Sequence, residues 1–73
     1  MDERQFFFGK KHESYLFQKL VADGELLISF VYDHYKNIQP AKNFLWKITM
    51  AGVAKKSEDG EKLIYIPKTE VFP

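Results

Sequence analysis

The chain contains no cysteine, and that absence decides what has to hold it together. At 73 residues it is long enough for one domain and too short for two. A chain of this size buries only roughly 60% of its unfolded surface, so it needs reinforcement. Disulfides and thiolate metal sites are excluded. What remains is aromatic packing and self-association. Seven Phe, four Tyr and one Trp make twelve rings, 16% of the chain. Each ring can bury on the order of 150–250 Å².

Charge narrows the classes further. Eleven basic residues face ten acidic ones, and the net charge is +1. A strongly cationic nucleic-acid binder and an acidic nucleic-acid mimic would each show a larger imbalance. Arg4 is the single arginine among the bases. Lysine is a point charge suited to phosphate or to solubility, whereas arginine is preferred for bidentate readout. The start, Met1-Asp2-Glu3-Arg4-Gln5, is no cationic leader, and the longest near-apolar run, Leu26 to Tyr32, is far short of a membrane span. With the missing cysteine, this points to a cytoplasmic protein.

Breakers divide the chain into five pieces. Gln5 to Phe8 places three Phe in a row before Gly9, which suits a strand buried on both faces. Ser14 to Ala22 reads two ways. Leu16, Phe17, Leu20 and Val21 form a helical stripe, with Gly24 as its terminator. The rival is a hairpin turning at Asp23-Gly24. That register sets Val21 opposite Leu26, Leu20 opposite Leu27, Phe17 opposite Phe30 and Leu16 opposite Val31, with Lys19 against Ile28 as the mismatch. The match favours the hairpin.

Glu25 to Tyr35 is apolar on both faces and predicts a central strand. His34 to Asn43, with Asn37, Gln39 and Pro40, reads as a loop. From Asn43 to Ala54 the chain alternates. Phe44, Trp46, Ile48 and Met50 point to one side and Leu45, Lys47 and Thr49 to the other, which predicts a half-buried strand with Trp46 in the core. Gly52 marks a bulge or bend. Lys55 to Gly60 is a charged turn, Glu61 to Ile66 a strand ending at Pro67, and Thr69 to Phe72 a short edge.

The expected architecture is therefore a single mainly β domain over residues 1–73. Two long hairpins and a flanking strand would make a five-stranded antiparallel sheet or a small SH3- or OB-like barrel. If Ser14 to Ala22 is helical, the alternative is α+β, with one helix on a four-stranded antiparallel sheet.

No spacing carries a specific chemistry. Ser14, Ser29 and Ser57 lie in no nucleophile elbow. His12 and His34 read as two solvated residues at element ends, since Asp33 and His34 would point to opposite faces of a strand. No pair has metal-ligand spacing, and the acidic run Ser57 to Glu61 lacks the alternating ligands of a calcium loop. Four isolated glycines make no phosphate loop. No cofactor and no metal are expected.

A binding surface is left. Lys10, Lys11, Lys36, Lys55 and Lys56 fall near turns, Lys47 on the open face of its strand, and Tyr35 beside Lys36. Bases stacked on aromatics above a charged track are how OB-type modules hold single strands. Free strand edges offer β-augmentation or a homodimer. The expectation is a non-catalytic binding module or accessory, regulatory factor acting through protein contact. The alternatives are a nucleic-acid-binding module and, from another class, a small ribonuclease-type toxin using His12 or His34.

Overall fold

A left-handed residue at position 24 settles the first ambiguity. The computed structural model describes Arg4 and residues 8–67. There, Gly24 has φ 80° and its N–H donates to the Leu20 carbonyl at 2.8 Å. This closes a helix, not a hairpin. Glycine reaches that conformation without the Cβ clash other residues meet. Helix α1 spans Lys11–Asp23 and buries Glu13, Leu16, Phe17 and Leu20 on one stripe.

Strand β1, Glu25–Leu27, follows at once and gives way to helix α2, Ile28–Tyr35. The central strand expected over Glu25 to Tyr35 is thus only three residues long. An apolar run with both faces greasy fits a buried strand and a buried helix equally well. Here Ile28, Val31, Tyr32 and Tyr35 recur at helical spacing, with Val31 fully buried and the others packed against the core.

Helix α3 spans Ile38–Met50 and replaces both the expected loop and the expected strand. Pro40 sits in its first turn. A proline there loses only an N–H that has no intrahelical acceptor anyway, so it starts a helix as readily as it breaks one. The buried positions are Ala41, Phe44, Leu45 and Ile48, a stripe at i, i+3, i+4 and i+7. Phe44 and Ile48 fit both periods. Leu45 is inside, not outside, and Trp46 is outside, not in the core.

A turn leads to strand β2, Ala54–Lys56, and then to β3, Lys62–Tyr65, which coincides with the strand expected over Glu61 to Ile66. The sheet order is β1-β3-β2, antiparallel throughout, with Leu26 opposite Leu63 and Ala54 opposite Tyr65. Leu26, Leu63 and Ala54 face the helices, while the other face carries the Lys62–Glu25 ion pair at 2.8 Å. The turn at 57–60 is held by Ser57 and Asp59. The Ser57 hydroxyl donates to the Asp59 carboxylate, and that carboxylate accepts the Glu61 N–H at 3.0 Å. These bonds hold the Asp59 carboxyl below its usual range.

The architecture is therefore α+β, with three helices and a three-stranded antiparallel sheet among the described residues. It is neither a five-stranded sheet or barrel nor one helix on four strands. Of the strand expected over Gln5–Phe8, residues 5–7 lie outside the described residues, as does the edge expected over Thr69–Phe72. Phe8 is in no strand and is completely buried. It stacks on Phe17 at 5.1 Å and meets Phe44 edge-on at 5.9 Å. The aromatic core expected of a cysteine-free chain is built on this trio.

Candidate functional site

Three features stand out on the surface of this scaffold: a histidine pair, a small polar cleft and the outer face of α3. The histidines were expected to be separate. Instead His12 Nδ1 and His34 Nε2 share a hydrogen bond of 2.8 Å, and their rings meet edge-on. Tyr15 stacks on His34 at 5.1 Å, and Tyr35 packs against both imidazoles. The cluster ties the first turn of α1 to the last turn of α2. Partial burial, and then the neighbouring His12, lower the pKa of His34.

Beside it, Lys10, His12, Glu13, Tyr35, Gln39 and Asn43 line an open cleft of about 300 Å³. Glu13 is 8% exposed and receives a hydrogen bond from Lys47 Nζ at 3.0 Å. Burial, and then the Glu13 carboxylate, push the Tyr35 phenol up to about 12, so it is un-ionised at neutral pH. Among the described residues no group of three or more His, Asp or Glu is placed to hold a metal ion.

The face of α3 opposite the core is different in kind. Trp46 and Met50 are 67% and 68% exposed. Four residues apart on a helix, they lie on one side, about 6 Å apart along the axis. Gln39 and Asn43 continue the stripe toward the N-terminus and bond to each other at 3.0 Å. Lys42 stands beside it and is exposed. A tryptophan so placed is an apolar anchor without a host.

The residues singled out by sequence fall in several places. Lys10 and Tyr35 meet in the cleft, with Lys11 and Lys36 exposed next to them in the chain. Lys47 does not lie on an open face. It is paired with Glu13, and its ammonium lies 5.1 Å from the Phe8 ring centre. Lys55 and Lys56 are exposed on β2, an edge strand. Arg4 reaches inward across the fold. Its guanidinium donates to the carbonyls of Gly52 and Ile66 at 3.0 and 2.6 Å.

Sequence reasoning missed Trp46 and Met50 as surface residues. A count at helical spacing from Ala41 would have put both outside. It also passed over a charge asymmetry. From residue 34 to residue 57 the chain holds Lys36, Lys42, Lys47, Lys55 and Lys56 and no acid. The fold and this face define a small α+β domain that presents one apolar-and-basic helix. No protein-family model, no curated protein and no solved structure matches the chain.

Proposed function

We propose that this chain is a non-catalytic protein-binding module, an accessory or regulatory factor that engages its partner with the outer face of α3. The observation that carries the reading is the pairing of Trp46 and Met50, both about two-thirds exposed on one stripe of a helix whose other side is core. Tryptophan is enriched among the residues that dominate protein interfaces, where its truncation costs on the order of 2 kcal/mol or more. The rest of the surface supports a contact role over a catalytic one. The cleft is small and open, and the facing nitrogens of His12 and His34 are engaged with each other. A general acid or base needs a nitrogen turned toward substrate.

The test is affinity capture with the wild-type chain and with Trp46→Ala as paired baits. The expected outcome is a protein retained by the first and lost by the second, with the circular dichroism of the two baits alike. Identical sets of proteins on both baits would refute the reading.

Nucleic-acid binding is a second reading, favoured by the acid-free stretch of five lysines around an exposed ring. It predicts affinity for single-stranded oligonucleotides that falls steeply with salt, and it fails if binding is absent or indifferent to salt. Among the described residues no helix is long and apolar enough to cross a membrane.

A further inference from the structure

We propose that the partner seated on α3 is an acidic protein segment, carrying an apolar stripe for Trp46 and Met50 and carboxylates for the lysines around them. The inference rests on the α3 reading above and adds the chemistry of the occupant.

The ion pairs of the fold show which cations are free. Three lysines are neutralised within the chain: Lys19 by Asp23, Lys47 by Glu13 and Lys62 by Glu25. Around α3 the balance is different. Lys36 caps the preceding helix, Lys42 lies on α3 itself, and Lys55 and Lys56 follow on β2, which packs against α3. None of these four makes an ion pair among the described residues. The one acid that reaches the helix, Glu13, is buried and occupied by Lys47. The apolar stripe is thus bordered by uncompensated positive charge.

That pattern selects among occupants. A second copy of the chain is disfavoured. A two-fold contact opposes the same patch to itself, and this patch has lysines and no acids to meet them. A nucleic acid fits the lysines but not the stripe. Met50 offers no stacking plane, and Gln39 and Asn43 are turned to each other, leaving Lys42 as the free cation on the stripe. Apolar anchors ringed by unpaired cations are complementary to a protein surface with apolar side chains inside an acidic rim.

The experiment uses the full chain and three labelled probes. One is an amphipathic helical peptide with leucines on one face and glutamates on the other. The second is the same peptide with lysines replacing the glutamates. The third is a single-stranded oligothymidylate. Binding is followed by fluorescence anisotropy. The acidic peptide is expected to bind and to weaken about tenfold between low and physiological salt. Lys42→Glu combined with Lys55→Glu is expected to weaken it by about tenfold or more, and Trp46→Ala to abolish it. The basic peptide is expected not to bind.

Equal binding of the two peptides would overturn the proposal, as would indifference to the charge reversal, tighter binding of the oligothymidylate, or failure of the acidic peptide to bind at all. Sedimentation showing a dimer that Trp46→Ala dissociates would overturn it in favour of self-association. These outcomes differ from failure of the α3 reading itself. That reading stands if capture remains Trp46-dependent while charge reversal has no effect, and falls if Trp46→Ala changes nothing.

Discussion

Truncating Phe8 to alanine should unfold most of the chain. The side chain is 0% exposed, stacked on Phe17 and edge-on to Phe44, with the Lys47 ammonium over its ring. Phe→Ala changes in a core cost about 3–5 kcal/mol, from lost transfer energy and from the cavity left behind. Stability of about 0.05–0.15 kcal/mol per residue gives a 73-residue chain roughly 4–11 kcal/mol in total. The loss is therefore a third of the whole or more. Three elements are affected together, because Phe8 lies between α1 and α3 and beneath the Lys47–Glu13 pair. Urea unfolding followed by circular dichroism at 222 nm suits this helical protein. Tryptophan emission does not, since Trp46 is already exposed in the native state. Phe8→Leu, which retains most of the volume, should cost no more than about 1.5 kcal/mol. A loss below about 1 kcal/mol for Phe8→Ala would refute the reasoning. It would mean that the segment before α1 does not help hold the core together.

Two further outcomes concern the joints between helices. Lys36 is the one non-glycine described residue with positive φ, 62°, so Lys36→Gly should raise stability by about 0.5–1 kcal/mol in thermal unfolding. His34 binds its proton at lower pH in the folded chain than in the unfolded one, because burial and His12 disfavour its charged form. Stability should then be flat above the ordinary histidine value near 6.5 and decline as pH falls below it through the lowered folded value. His34→Gln should flatten that part of the profile, and an unchanged slope would show that the pair contributes nothing. Trp46→Ala, by contrast, should move the midpoint by less than about 0.5 kcal/mol, since no native contact is buried there.

How much of this was legible can be judged from individual residues. Gly24 was legible as a helix terminator, but Asp-Gly serves a hairpin equally well. The match between residues 15–22 and 26–32 was a property of two apolar runs, and any two such runs show it. Glu61 to Ile66 was legible because turn residues bound it on one side and Pro67 on the other. The Phe44 to Met50 alternation misled. Phe44 and Ile48 satisfy a period of two and a period of 3.6 alike, and only Ala41 and Leu45 separate the two. Taking Pro40 as a breaker removed Ala41 from view. The histidine pair had no signal at all, since residues 12 and 34 are joined only by the packing of α1 against α2.

What the amino-acid sequence determines alone is the composition of the core and the charge around it. Without cysteine, twelve rings must do the packing, and Phe8, Phe17 and Phe44 do. The lysine run without acids is likewise there to be counted. Which apolar residues go inside was decided by the tertiary structure. Trp46 is as apolar as its neighbours, and no local preference keeps it out. It is outside because Ala41, Phe44, Leu45 and Ile48 fill the side of α3 that faces the core, and a helix has only one such side. Exposure depends on the neighbours a residue is folded against, and for that reason the proposed binding face could be located only once the fold was known.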